Sequence, residues 1–505
     1  MKIQEFLEHH GIAGNPFAEE DAQNDTVFKR TCLETTFHPA WDKIYGDPAD
    51  PSTSIVFGEK GAGKTAIKLQ MVRQFERHNA EAEREADPRS QKRTFVVLYD
   101  DFNPFLDRFV SRVGPNRPVE RVLAQWKLWD HMDAILSLAV TQLVTSLINA
   151  GKKTGGAAAG GPQFTPPQAR DMALLAACYD QSTAETFPSR WKQLRRRVGY
   201  RAWHGLWPLA LGSAATLVMA AALVVGFLRA GGGGSLAWAG AWWPWLLLAA
   251  AWGPWAVRRA RATWMAWRIV RSMRTGNRAV GQLAQALARM PLVDLAGQPL
   301  PASARSDDRY ELLAKLQGIL ATQGYAGMVV IVDRLDEPHL INGSADRMRL
   351  VIWPMLDNKF LKSPGMGFKL LLPVELYRFI EREDEQFNQR ARLDKQNLVP
   401  SLEWSGETLY DIASTRVKAA SVVDPPATLA QLFEPAVDQR RLLDGLRSLR
   451  VPRQLFKFLY RLLVAHCHAH TGEQAVYQIP LERFDTVLAV YRRDQEAFDR
   501  GLAPR

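Results

Sequence analysis

The octapeptide Gly58-Glu59-Lys60-Gly61-Ala62-Gly63-Lys64-Thr65 is the stretch of this chain best suited to chemistry. It fits the pattern GxxxxGK[ST], in which glycines let the backbone wrap an anion with successive N–H groups pointing inward. A helix opening at Lys64 adds positive potential at its N-terminus. Lys64 is then set to meet β- and γ-phosphates, and the Thr65 hydroxyl to ligate Mg²⁺. A Gly-rich turn without a ligand is the bland alternative. Such a loop needs a carboxylate at the tip of another strand. Val329-Val330-Ile331-Val332 ends at Asp333, a candidate Mg²⁺ residue acting through water, and Asp336 and Glu337 follow in the turn. One of these two is expected to polarise an attacking water, with Glu337 preferred over Asp336. A solvated acidic pair at a helix start is the alternative. Arg453, in Val451-Pro452-Arg453 at the start of a helix, could reach a nucleotide from a lid.

Weaker candidates surround this set. Glu375, after the strand Gly367–Leu372, sits where a γ-phosphate could be sensed, although simple solvation fits equally. Arg390 and Arg392 are finger candidates toward a neighbouring subunit, against the commoner surface ion pair. Asn15-Pro16-Phe17 either helps to line a base pocket or forms a local turn. His466, Cys467, His468 and His470 share a helix, with His466 and His470 on one face. Lacking an acidic ligand or a second Cys pair nearby, they read as structural rather than metal-binding.

These residues need elements to hold them. Ser54–Phe57 reads as a short buried strand, followed by a helix from Lys64 toward Asn79. Arg93–Tyr99, Gly327–Val332 and Gly367–Leu372 read as further strands, and an apolar strand follows Lys395. Amphipathic helices cover about 308–324 and 407–421, and residues 119–149 carry apolar positions at helical spacing. From 425 onward the pattern is helical. Short β-branched runs alternating with helices indicate an α/β fold with a parallel sheet. The segment 151–167 is rich in Gly and Pro and reads as a linker.

The 505 residues suit two to four domains, and 22 Phe with 16 Trp exclude a mainly disordered chain. Three cysteines are too few for a disulfide framework and fit a reducing compartment. The first ten residues hold no apolar run, so no cleaved signal peptide is expected. The net charge of +11 is localised. Lys192–Gly205 and Arg258–Arg274 hold eleven basic residues and no acid, and the rest is neutral. The excess therefore leaves nucleic-acid binding a weaker reading, and no specific nucleic acid is expected. It flanks two uncharged runs, Leu206–Leu228 and Leu236–Val257, joined by Arg229-Ala-Gly-Gly-Gly-Gly-Ser. Each run is about 33–35 Å long as a helix, enough to cross a bilayer core of roughly 30 Å. Basic outer ends place both on the cytoplasmic side. Trp203, Trp207, Trp238, Trp242, Trp243, Trp252 and Trp255 lie mostly near the ends, where indoles favour the interface. Neither run contains an ionisable group, so a single pair offers no ion path. Small residues at 212–215 could let the helices approach closely.

Together, Gly58–Thr65, the hairpin inserted before the acidic strand, and the Val329–Glu337 string followed by a helical region with Val451-Pro452-Arg453 resemble the KAP group of P-loop NTPases, within the STAND/AAA+-like assembly. The acidic string departs from the group's usual form and looks closer to a NACHT-type Asp-x-x-Asp-Glu pattern, with Arg334 in place of a small residue. The resemblance covers roughly residues 50–465. It implies an ASCE-type parallel sheet with the acidic strand beside the loop strand, a transmembrane hairpin and a C-terminal helical domain. It also implies ATP and Mg²⁺ as cofactors, ATP hydrolysis, homo-oligomerisation and residence in a bacterial inner membrane with the NTPase domain cytoplasmic. Phage exclusion by some relatives extends the expectation to anti-phage defence or signalling.

On this reading residues 1–50 are an N-terminal segment, 51–150 and 306–424 the two parts of the P-loop domain, and 151–205 a linker and helix leading to the membrane. Residues 206–257 are the hairpin, 258–305 a basic exit helix and linker, and 425–505 a helical lid. All of Gly58, Glu59, Lys60, Gly61, Ala62, Gly63, Lys64, Thr65 and Arg453 are then nucleotide-binding, and the partners are the lipid bilayer, copies of the chain and an unidentified protein. A nucleotide-gated scaffold with little turnover, or a pore assembled from several hairpins, is the competing function.

Overall fold

The structure, a computed structural model, describes residues 1–84, 92–153, 164–200, 206–229, 241–470 and 474–499. The chain divides into two compact units. The first comprises Met1–Asp101, Ala326–Arg349 and Leu356–Arg505; the second comprises Phe102–Tyr325 and Leu350–Met355. The break at 101 differs from the expected one at 150, because the helices after Asp101 bury their apolar faces against one another.

The first unit is α/β. Among the described residues its sheet has five parallel strands: β1 (Ser54–Gly58), β2 (Arg93–Tyr99), β3 (Tyr325–Val332), β4 (Met366–Pro373) and β5 (Asn397–Val399). Their order is β2-β3-β4-β1-β5. β1 and β4 are buried along their whole length, as is β3 from Gly327 on, the continuous apolar run of a sheet covered on both faces. β4 pairs in parallel with β1 on one side, Val56 opposite Leu371, and with β3 on the other, Ile331 opposite Lys369. This corrects one expectation: the acidic strand β3 is not beside β1, because β4 pairs in parallel with both and takes the place between them. The tips of β1 and β3 are thus two strand spacings apart, about 10 Å.

Helix Lys64–Arg84 follows β1 and presses Ile67, Met71 and Phe75 onto Val56, Val329, Ile331 and Leu371. A second core joins Phe6, Leu7, Ile12 and Phe17 to helices Gly406–Ala420, Pro452–His468 and Leu481–Asp499. The N-terminal segment is therefore part of the C-terminal helical body rather than a separate piece.

The second unit is helical. The 26-residue core helix Leu128–Lys153 packs against Pro166–Tyr179, Phe187–Arg197 and Asp307–Thr322. The helix pair Trp207–Arg229 and Trp243–Ser272 also lies here. The second of the pair runs 30 residues without a break at 257, so the expected exit helix is its continuation. Its neighbour Trp207–Leu228 exposes Leu217, Val218 and Phe227 by more than 60% each. Trp252 packs on the first helix: a Cβ at Gly212 would come within 2.7 Å of its ring, and its Nε1 donates to Thr216 Oγ1 at 3.1 Å. Trp252 thus serves helix packing. The expected link 229–235 lies almost wholly outside the described residues, as do Trp203 and Trp238.

Two described helices are long and apolar enough to cross a membrane, Leu128–Ala150 and Trp207–Leu228; 72% of the apolar window in the first is buried within the protein, against 6% in the second.

Candidate functional site

The loop Gly58–Thr65 leaves the tip of β1 and enters helix Lys64–Arg84. Gly61 and Gly63 hold φ of +89° and +90°, a left-handed conformation that glycine adopts without strain. A side chain at Gly61 would also collide with Arg453, whose Cβ lies 2.7 Å from the position a Gly61 Cβ would take. Lys64 Nζ donates to the carbonyls of Gly58 and Glu59, at 2.7 and 3.1 Å, across the inside of the loop. Burial lowers its pKa, against the pull of Asp336, Asp333 and Glu375. The loop is therefore a curl of backbone with an ammonium group at its centre.

Asp333 is buried at the tip of β3 and accepts from Thr65 Oγ1 at 3.4 Å. Two residues 268 apart in sequence meet here because β1 and β3 end at the same edge of the sheet. Asp333 also pairs with Lys68 at 3.2 Å, and Lys68 pairs with Asp100 at 3.0 Å. Lys68 stands one turn beyond Lys64 and is wholly buried between two carboxylates from different strands. Sequence reasoning missed this bridge. A signal was present: Arg93–Tyr99 ends in Asp100-Asp101 just as β3 ends in Asp333.

The turn after Asp333 places Arg334 at φ +59°, a strained conformation for a non-glycine residue. Glu337 N donates back to Arg334 O at 3.3 Å, and Arg334 Nη1 pairs with Glu337 at 3.5 Å. Glu337 is exposed at the cavity rim, with its pKa raised first by burial and then by Asp336 and Asp333, against Arg334. Asp336 is half-buried, and it is the carboxylate that acts most strongly on Lys64. Both line one cavity with Lys60, Gly61, Lys64, Thr65 and Asp333.

Arg453 lies at the first turn of helix Pro452–His468, where its N–H donates to Gly61 O at 3.3 Å and its side chain faces Glu20 at 3.7 Å. The cavity's far wall was not foreseen. It comes from Asp25, Phe28, Cys32 and Thr36 of the N-terminal segment and from Ile412, Arg416 and Phe456 of the helical body. Buried Arg416 ties the two together: it pairs with Asp25, donates from Nε to Pro16 O at 2.7 Å, and lies 4.3 Å over the Phe456 ring. Trp404 Nε1 holds the Ala62 carbonyl at 3.0 Å. Asn15-Pro16-Phe17 forms a turn, Phe17 N donating to Asn15 Oδ1 at 2.9 Å, and supports Arg416 rather than lining the cavity.

Other candidates fall outside. Glu375 is exposed beyond β4 and off the cavity lining; its charge nevertheless acts on Lys64. Arg390 and Arg392 are exposed and off the lining too, with Arg390 lying over Phe387. His466 is buried, and its Nε2 is 2.8 Å from Val476 O. Among the described residues no three His, Cys, Asp or Glu side chains gather into a protein-only metal site. Thr65 Oγ1 and Asp333 Oδ2, 3.4 Å apart, instead approach the roughly 3 Å spacing of adjacent ligands on a small octahedral ion.

Compared with known protein families, with curated proteins and with solved structures, the chain matches none, so the meaning of this site rests on its own geometry.

Proposed function

We propose that the chain is a membrane-anchored P-loop NTPase of the KAP type, with an ASCE-type sheet in which β4 stands between the loop strand and the acidic strand, that binds and hydrolyses ATP as a conformational switch. The observation that carries this reading is the meeting of Thr65 and Asp333, 3.4 Å apart, beside a loop curled around Lys64. A Gly-rich turn without a ligand gives no reason for a hydroxyl and a buried carboxylate to converge there. The inward N–H groups and Lys64 would bind the β- and γ-phosphates, and Thr65 and Asp333 would hold Mg²⁺. The metal supplies charge neutralisation on the phosphate oxygens. Lys68 keeps Asp333 in place and is itself held by Asp100. Asp336, the carboxylate that acts most strongly on Lys64, and Glu337, at the rim, are the two groups able to take a proton from an attacking water. Arg453 would sense the phosphates from the helical body, and the slot between Phe28, Ile412 and Phe456 would take the base.

The helix pair Trp207–Arg229 and Trp243–Ser272 would anchor the chain in a bacterial inner membrane, with the NTPase unit cytoplasmic. Support comes from the bare apolar surface of the first helix and the arginines beyond the second span. A role in anti-phage defence or signalling, with a protein partner, belongs to the same proposal.

The test is Mg²⁺-dependent ATP hydrolysis, with particle size measured in detergent with and without ATP. Lys64→Ala should abolish turnover, and ATP should enlarge the wild-type particle. Equal hydrolysis by wild type and Lys64→Ala would end the enzyme reading. One observation favours a second reading, a nucleotide-gated scaffold with little turnover: Glu337 is turned toward Arg334 rather than the loop. If wild type, Glu337→Gln and Asp336→Asn all bind ATP alike and none hydrolyses it, the scaffold reading replaces the switch.

A further inference from the structure

The helical unit carries a second surface, independent of the phosphate loop. Helix Val280–Arg289 packs back along the lower half of Trp243–Ser272, and a short helix, Leu292–Leu295, follows it. Two tethers fix the height of this corner. Arg258, the first residue beyond the second uncharged run, donates from Nε to Ala288 O at 2.8 Å and from Nη2 to Met290 O. Tyr200, shortly before the first run, donates its hydroxyl to Asp294 Oδ2 at 2.7 Å. Residues 288–294 are thus tied to both chain ends of the helix pair, level with the point where the apolar runs stop.

At that level the corner presents apolar side chains outward. Val293 is 84% exposed and Leu292 44%. Arg196, Arg259, Arg261 and Arg289 are exposed on the elements that meet there. No Asp or Glu occurs anywhere between Glu185 and Asp294, and Asp294 itself is taken by Tyr200. Arg259 and Arg261 lie about 3–6 Å past Val257 along the helix, at 1.5 Å per residue, within a headgroup layer of roughly 5–8 Å. An apolar tip with four exposed arginines around it and a single acid, Asp294, held by the Tyr200 hydroxyl, matches one chemistry, a leaflet of anionic phospholipid. It belongs to the same unit as the exposed apolar face of Trp207–Leu228.

We infer that the corner Ala288–Leu295 is an interfacial foot, with Leu292 and Val293 entering the acyl boundary while the four arginines engage lipid phosphates, and that it requires anionic lipid. This rests on the spanning reading of the helix pair. The test separates the two. Nitroxide labels are placed singly on the full chain through Val293→Cys, through Leu217→Cys at mid-span, and through Val422→Cys, an exposed position in the other unit. The three native cysteines are buried. Each protein is reconstituted into phosphatidylglycerol/phosphatidylcholine vesicles and into phosphatidylcholine alone, and access of oxygen and of an aqueous nickel chelate is measured.

The expected result is a deep Leu217 label in both lipids. The Val293 label should lie at the boundary between headgroups and acyl chains with phosphatidylglycerol, and move several-fold toward nickel access in phosphatidylcholine or with Arg259→Gln/Arg261→Gln. A Val293 label as aqueous as Val422, with Leu217 deep, would overturn the foot and leave the span standing. An aqueous Leu217 label would remove the span and the foot with it. A Val293 label equally deep in both lipids and in the double variant would overturn the anionic requirement.

Discussion

Two helices of this molecule, Leu128–Ala150 and Trp207–Leu228, are nearly equal in length and both apolar, with mean hydropathies of 1.4 and 2.2. Their surroundings are opposite. The first buries Asp130, His131 and Asp133 completely. Each has a partner: Asp130 takes Arg274, His131 Nε2 lies 2.8 Å from Val351 O, and Asp133 accepts two bonds from Arg309 at 3.1 Å and one from the Tyr179 hydroxyl at 2.7 Å. The second contains no ionisable residue before Arg229 and leaves its leucines and valines bare. Average hydropathy does not separate a core helix from a candidate span. The partners of the few polar groups do, because a charge is tolerated in an apolar setting only when paired and hydrogen-bonded.

The largest expected effect is on the core helix. Asp133→Ala leaves Arg309 buried without its carboxylate and should cost about 3–5 kcal/mol, read as a fall in the denaturation midpoint of the helical unit. Adding Arg309→Met should recover part of that loss. A small cost for the single variant would erase the contrast between the helices. On the other helix, Leu217→Arg should leave the helical unit folded in detergent but oppose membrane insertion by about 2.5–3.5 kcal/mol in a translocation assay. Unchanged insertion would put this helix in the same class as the first.

A smaller effect depends on pH. Burial lowers the His131 pKa to about 4, from an ordinary 6.5. The unfolded chain therefore takes up the proton first, and the contribution of neutral His131 is complete above pH 6.5 and lost as pH falls toward 4. At pH 5 the loss is roughly 2 kcal/mol. His131→Gln, which keeps a donor for Val351 O, should remove that acid sensitivity. Asp130 titrates in the opposite sense: burial raises it to about 6 against Arg274. The difference between wild type and variant, rather than either slope alone, is the quantity to compare. The smallest effect belongs to the helix pair. Trp252→Phe deletes the bond to Thr216 and should weaken association by only about 0.6 kcal/mol, seen as increased protease access between the helices.

Legibility followed the range of each interaction. Gly58–Thr65, the strands around it and the acidic turn at Asp333 were readable because each is a run of neighbouring residues whose backbone preferences act locally. Arg453 was readable as a candidate because it opens a helix after Pro452. Lys68 was not, since nothing in Ile67-Lys68-Leu69 names Asp100 or Asp333 as partners. Nor was Arg416, which needs Asp25 and Pro16 from the other end of the chain. The strand order was not legible either: the resemblance put the acidic strand beside the loop strand, and local apolar pattern, which carries no order, could not correct it.

The residues alone established the Gly-rich loop, the acidic strand end, the two uncharged runs and the arginines around them. Each depends on contiguous chain, on φ freedom at Gly61 and Gly63 or on twenty residues without a charge. Folding decided which strand lies between β1 and β3, which carboxylates enclose Lys68, that residues 20–36 wall the cavity, and which of two apolar helices is buried. Those outcomes come from competition among many possible burials, and the winner is set only when distant groups find the partners that make desolvation tolerable.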